Sequence, residues 1–304
     1  MNLKELEYIV KIADEGNITH AAEQLFITPS ALNQQLLHLE SELGTQLFQR
    51  LRGGWLPTEA GTVYLNSARE ILRIKKETYQ RLNDIVALQN SSLTISFPPE
   101  RGSYMFTHVY PLFHRDWPNV TVQAIETSVR QQQELIAAGK VDIGFVTLLD
   151  RQKSKDVYIP IQEEELVLAV PAGHPLCARA KPSPYSKYPE LSLSDFRNEP
   201  FAFMHKKSTI YDYLRQLFRE AGFYPTTLFE TARSATILEM VAAGLCCSIV
   251  PDIDSLEHIP GVSFFCLDTH PRWNLMACYK KGAYLSKPGK HFITLATQYW
   301  NQGL

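Results

Sequence analysis

Two interruptions near the start of the chain constrain its fold most. Leu3, Leu6, Ile9, Val10 and Ala13 follow helical spacing until Gly16. The glycine provides a left-handed stop, and Asn17 an acceptor for the first amides of a following helix. Ala21, Ala22, Leu25 and Phe26 form a second short stripe, broken at Ile27-Thr28-Pro29. Thr28 fits an N-cap and Pro29 the first helical position, where a missing N–H costs nothing. A third helix is predicted over 29–43, ended by Gly44. It has Leu32, Leu36, Leu39 and Leu43 on one face and Ser30, Asn33, Gln34, Leu37 and His38 on another. Two short helices around a tight turn, the second with amides outward, have the form of a helix-turn-helix. Asn33 and Gln34 can each pair bidentately with adenine in a major groove. A three-helix bundle with a solvated polar face has the same periodicity, and periodicity alone leaves both readings open.

The next segment favours the first. Phe48-Gln49-Arg50-Leu51-Arg52-Gly53-Gly54-Trp55-Leu56-Pro57 reads as a hairpin around Gly-Gly. Arg50 and Arg52 suit a β-wing that touches phosphate or the minor groove. With Thr28, Pro29, Ser30, Asn33, Gln34 and Leu37 they form the candidate DNA-binding set. Thr58-Glu59-Ala60-Gly61 then opens a helix predicted to reach about residue 88. Leu65, Ala68, Leu72, Tyr79, Leu82 and Val86 alternate by three and four, with Lys75 interrupting one seam position. Such a stripe suits a partner helix, which implies dimerisation; packing on its own chain is the alternative.

At 304 residues, 45% hydrophobic and 20% charged with net charge −2, the chain has the makings of two or three globular domains. A charge near zero argues against a purely electrostatic nucleic-acid binder, though not against a sequence-reading domain. No apolar run approaches the roughly 18 residues of a membrane span, and no signal-peptide core follows Met1, so the expected location is cytoplasmic. Cys177, Cys246, Cys247, Cys266 and Cys278 make no disulfide framework. The adjacent pair Cys246-Cys247 sits in an apolar stretch and reads as buried core, with a redox role conceivable. The histidines show no metal-ligand spacing, so neither metal nor cofactor is expected.

The ordered segments Asn17-Ile18-Thr19-His20-Ala21-Ala22-Glu23-Gln24-Leu25, Thr28-Pro29-Ser30-Ala31-Leu32, Leu39-Glu40-Ser41-Glu42-Leu43-Gly44, Leu47-Phe48-Gln49-Arg50 and Leu56-Pro57-Thr58-Glu59-Ala60-Gly61 closely resemble the DNA-binding end of LysR-type regulators. The resemblance implies double-stranded DNA as partner and a homodimer or homotetramer. The chain departs from it in one respect. Members commonly carry Arg or Lys in the recognition helix, whereas none lies between Lys11 and Arg50 here. Phosphate contacts from that helix must then come from hydroxyls, amides and backbone N–H groups.

After the polar break Gln89-Asn90-Ser91-Ser92, strands are predicted at 93–97, 120–125 and 141–146, with helices at 104–117 and 132–138, a βαβαβ rhythm. A second unit begins near Ile161, with strands at 166–171, 201–204 and 248–251 and helices at 210–221 and 236–243. A strand at 275–279 and a helix at 288–300 end the chain. Gly139-Lys140-Val141-Asp142-Ile143-Gly144-Phe145, Leu166-Val167-Leu168-Ala169-Val170-Pro171-Ala172-Gly173-His174-Pro175-Leu176 and Val241-Ala242-Ala243-Gly244-Leu245 resemble the LysR effector domain, which is similar to periplasmic binding proteins.

The expected architecture is therefore multidomain. An all-α winged helix-turn-helix (1–57) is followed by a linker helix and hinge (58–91). A two-lobed α/β domain takes up 92–304, with lobe I at 92–161 and 268–304 and lobe II at 162–267. The resemblance implies crossover strands near 158–165 and 264–268. Ligands of such folds lie between the lobes, at strand ends and helix N-termini. On the family pattern Pro98, Pro99, Glu100, Arg101 and Ser103 fall at the cleft, with Thr127, Ser128 and Thr147 on the same lobe and His205, Ser208 and Thr209 on the other. Helix starts, Arg101 and Lys206 favour a small anionic effector; Glu100 opposes this and suits an amine. Each hydroxyl also fits a simple N-cap. No catalytic motif stands at diagnostic spacing. The alternative is a two-lobed binding protein or enzyme without a DNA role.

Overall fold

The computed structural model describes residues 2–51, 54–86, 91–252 and 259–302, with the side chains of 86, 91 and 302 excepted. It divides into two compact units, Met1–Leu88 and Gln89–Leu304. Arg52, Gly53, Gln89 and Asn90 lie outside the described residues.

In the first unit, α1 (Leu3–Glu15), α2 (Ile18–Gln24) and α3 (Pro29–Leu43) begin and end at their caps. Asn17 Oδ1 accepts from Thr19 N at 2.8 Å, and Thr28 Oγ1 from Ala31 N at 3.2 Å. Gly16 and Gly44 take the left-handed conformation. Leu32, Leu36 and Leu39 pack with Ile9, Ile12, Ala21 and Ala22. Leu43, expected on that face, is 45% exposed and takes no part in this core.

β1 (Phe48–Leu51) and β2 (Gly54–Pro57) pair antiparallel, with Arg50 opposite Trp55. Trp55 N donates to Gly16 O at 2.8 Å, which seats the hairpin on the end of α1. Glu40 of α3 holds the approach, its carboxylate accepting from Leu47 N and Phe48 N at 2.6 and 3.2 Å.

The long helix α4 (Glu59–Val86) corrects the sequence reading of its stripe. Leu65 and Ala68 are buried in their own unit, Leu65 against the α1–α3 core, so they offer nothing to a partner. The periodicity is real, but its first two turns are covered by the same chain. Lys75 belongs to this intramolecular side too, pairing with Glu7 of α1 at 2.8 Å. Leu72 is half-buried, while Tyr79 and Leu82, together with Ile74 and Ile85, are exposed. The Val86 side chain lies outside the described residues.

In the second unit, β3 (Ser91–Phe97) runs parallel to β4 (Val120–Glu126) and β5 (Ile143–Leu148). α5 (Arg101–Asp116) and α6 (Val129–Ala137) connect them. β6 (Val157–Pro171) serves both lobes. Through Glu165 it pairs with β12 (Arg272–Tyr279); from Leu166 it pairs with β10 (Ser248–Pro251) and β11 (Val262–Leu267). The first crossing thus falls at Glu165 and the second in the turn between β11 and β12. Lobe II adds β7 (Glu190–Leu191), β8 (Pro200–Met204), α7 (Thr209–Glu220), β9 (Thr226–Thr231) and α8 (Ser234–Ala242). α9 (Lys287–Gln302) packs back on α5 in lobe I. Phe113, Phe145 and Phe292 centre one core, and Phe196, Phe201 and Phe218 the other. Among the described residues no helix is long and apolar enough to cross a membrane.

Gly61 allows α4 to approach the chain entering the wing, since a Cβ there would stand 1.9 Å from the Leu47 carbonyl oxygen. Helix propensity alone would make Gly61→Ala stabilising by about 1 kcal/mol. The close approach reverses the sign, and urea unfolding is expected to show a loss of about 1–3 kcal/mol.

Candidate functional site

The outer face of α3 is polar and uncharged near its start. Ser30, Gln34, Leu37 and His38 are exposed and Asn33 half-buried, with Thr28 and Pro29 exposed at the helix start. Arg50 is exposed on β1. Phe26, read from the sequence as part of the second apolar stripe, is instead 95% exposed in the turn between α2 and α3 at φ 56°. A bulky residue in the left-handed region is the only signal, and it becomes visible once the turn is built.

The second unit holds a cavity of about 920 Å³ between its lobes, within the range of small-molecule sites. Pro99, Glu100, Arg101, Ser128, Thr147, His205, Ser208 and Thr209 line it. Ser103 and Thr127 are not brought in. The Ser103 hydroxyl donates to Glu126, and Thr127 N donates to Phe97 O as β3 gives way to the next loop.

The charges lining this cavity are mostly matched within the chain. Arg101, read from the sequence as an anion partner, makes a two-pronged pair with Glu164, whose side chain is 1% exposed. Trp273 Nε1 donates to the same carboxylate at 3.1 Å. Burial pushes the Arg101 guanidinium down to about 10, so it stays charged at neutral pH. Lys206 pairs with Glu230 at 3.4 Å and does not line the cavity; its neighbour Lys207 does.

Glu100 crosses the cleft. Its carboxylate accepts from Ser234 N at 2.9 Å and Ala235 N at 3.1 Å, capping the start of α8 from the opposite lobe. The backbone that delivers it stands at φ 65°, ψ −81°, with Arg101 N bonded to Pro99 O at 2.9 Å. This is the rare, strained form of the γ-turn. Glu100 therefore already occupies one anion-attracting helix start. A second link joins Thr209 Oγ1 to Thr147 O at 2.8 Å, so that hydroxyl is committed as well.

The start of α7 is different. The Ser208 hydroxyl donates back to His205 O at 2.7 Å and makes no cap to the helix. Ser128 caps α6 through Gln131 N at 3.4 Å. Trp273, Tyr104, Tyr299 and Trp300 supply aromatic walls that no local sequence pattern singled out.

Comparison with known proteins places both units. The family model for the bacterial regulatory helix-turn-helix protein, lysR family, matches residues 3–62, and that for the LysR substrate binding domain matches residues 87–301. The chain is 27% identical to the uncharacterized HTH-type transcriptional regulator YcgK of Bacillus subtilis, over 98% of this chain and 94% of that one. It is 25% identical to the DNA-binding transcriptional dual regulator OxyR of Escherichia coli, over 94% and 91%. Full-length OxyR of Pseudomonas aeruginosa shares the fold at TM-score 0.71 and 23% identity, over 99% and 98% of the two chains. CbnR complexed with its target DNA does so at 0.58 and 21%, over the whole of both.

Glu100→Ala is expected to lower stability by about 0.5–2 kcal/mol through loss of the α8 cap. Amide exchange at Ser234 and Ala235 should accelerate, while Ser103→Ala leaves both amides unchanged.

Proposed function

The chain belongs to the LysR family of bacterial transcription regulators, and we propose that it reads double-stranded DNA through α3 and the wing under the control of a small molecule held between its lobes. The observation that carries this is the α3 face. A leucine-packed helix, started by Thr28 and Pro29, exposes Ser30, Gln34 and Leu37 with Asn33 half-buried, and the same unit exposes Arg50 on the wing. The family and the relatives are regulators, not enzymes. A cytoplasmic location is supported by five cysteines that are all unpaired.

The exposed half of α4, with Tyr79 and Leu82 beside Ile74 and Ile85, suits a helix from a second copy and supports a homodimer, or a homotetramer built from it. Leu65 and Ala68 take no part in this reading.

For the effector, the α7 start and Lys207 support an anionic group, with aromatic walls for an apolar remainder. The ligand would alter the angle between the lobes and, through the assembly, the seating of paired helix-turn-helix units on two half-sites. Relatives in Escherichia coli and Pectobacterium carotovorum are named hydrogen peroxide-inducible genes activators. The thiols here do not favour that response. Cys246, Cys247, Cys266 and Cys278 are buried, and burial raises the pKa of each of the five, with Cys247 and Cys278 pushed up to about 12.

Binding to the DNA upstream of the chain's own coding region tests the proposal. Asn33→Ala should cost about 1–3 kcal/mol there and little on unrelated duplex. With no Lys or Arg in α3, affinity should fall only shallowly with salt, and Arg50→Ala should reduce the slope by about 1. Equal loss on both duplexes would take α3 out of base reading.

A further inference from the structure

Where the chain crosses between the lobes, three side chains of metal-ligating type converge. Glu165 of β6, Cys266 of β11 and His270 of the following turn bring one donor atom each within 4.8 Å of one another. Cys266 is buried, and the Glu165 and His270 side chains are only 10% and 20% exposed. His270 stands at φ 43°, in the left-handed region that a non-glycine residue rarely adopts. That backbone turns the ring inward, with Nδ1 2.7 Å from Glu165 Oε1. The other ring nitrogen, Nε2, faces Glu190 Oε2 at 3.7 Å. Strand register puts Glu190 there, directly opposite Cys266 in the parallel pairing of β7 with β11. The Tyr185 ring closes edge-on over His270 at 5.7 Å.

We propose that Glu165, Cys266 and His270 bind a divalent transition-metal ion of the zinc class. His270 Nδ1, Cys266 Sγ and a Glu165 oxygen are the ligands, and a water takes the fourth position. Thiolate with imidazole selects such an ion over magnesium or calcium, which take oxygen donors. Glu190 plays the supporting part, since a ligating histidine usually donates its second ring N–H to a carboxylate.

Two bonds of about 2.0–2.3 Å span at most about 4.6 Å, so small side-chain rotations accompany binding. The ion displaces the Cys266 thiol proton, now directed at the Tyr188 carbonyl at 3.3 Å, which passes to solvent; the proton between His270 and Glu165 is transferred to Nε2, where it faces Glu190, or to solvent where Nε2 already carries one. The cluster was hidden in the sequence because its members come from β6 and from the β11–β12 connection, the two crossings between the lobes. A bound ion would fasten those crossings together and restrict the interlobe angle.

The test uses the full-length protein, stripped with chelator and titrated with zinc alone, then with cobalt(II) as a spectroscopic probe. One ion per chain is expected, with a thiolate-to-cobalt charge-transfer band. Cys266→Ser should abolish the band and the stoichiometric uptake. His270→Asn, whose new residue tolerates the left-handed backbone, should abolish uptake while melting as a folded protein. Glu190→Gln should weaken affinity by about 10–100-fold. No uptake by the unsubstituted chain, or uptake that survives His270→Asn, overturns the proposal. Should Cys266→Ser fail to fold, His270→Asn alone decides.

Discussion

The buried pair between Arg101 and Glu164 is the contact on which the cleft depends. It joins the first turn of α5 to β6 just before that strand leaves lobe I, and Trp273 of β12 bonds the same carboxylate. Removing one member of such a pair strands the other charge, at a cost of about 3–5 kcal/mol. Pinned there, Arg101 fixes the turn of Pro98, Pro99 and Glu100. That turn in turn aims the Glu100 carboxylate across to Ser234 and Ala235. One ion pair therefore holds both the floor of the cavity and the arm that spans it.

This arrangement changes what the cleft can recognise. An arginine and a glutamate side by side suggest opposed preferences in a ligand, for an anion and for an amine. In the folded chain both charges are already matched, Arg101 by Glu164 through its two terminal nitrogens and Glu100 by the α8 amides, while Arg101 Nε is buried without a hydrogen-bond partner. Among the described residues the α7 start and Lys207 remain available to a ligand, on a wall rich in aromatic rings.

What the sequence made legible was local. Gly16, Asn17, Thr28-Pro29 and Gly44 act on amides within a turn of themselves, so α1 ends, α2 begins and α3 begins and ends where those residues say. The alternation of strand and helix after residue 91 is equally local. What escaped depends on which surfaces meet. The α4 stripe is regular apart from Lys75, yet α1 and the core of its own unit cover its beginning and leave Tyr79 and Leu82 bare. Ser103 and Thr127 sit beside true cavity residues in sequence but bond elsewhere. Glu100 meets α8 from 134 positions away, a distance no periodicity reports.

The central claim is that α3 and the wing read DNA sequence within an assembly of paired units. Selection of bound fragments from a random-sequence duplex pool by the purified full-length chain tests it most directly. The account predicts recovery of two related half-sites in inverted order, their centres about 10–10.5 base pairs apart or a multiple of that. A bound pool with no sequence enriched over the input would contradict it.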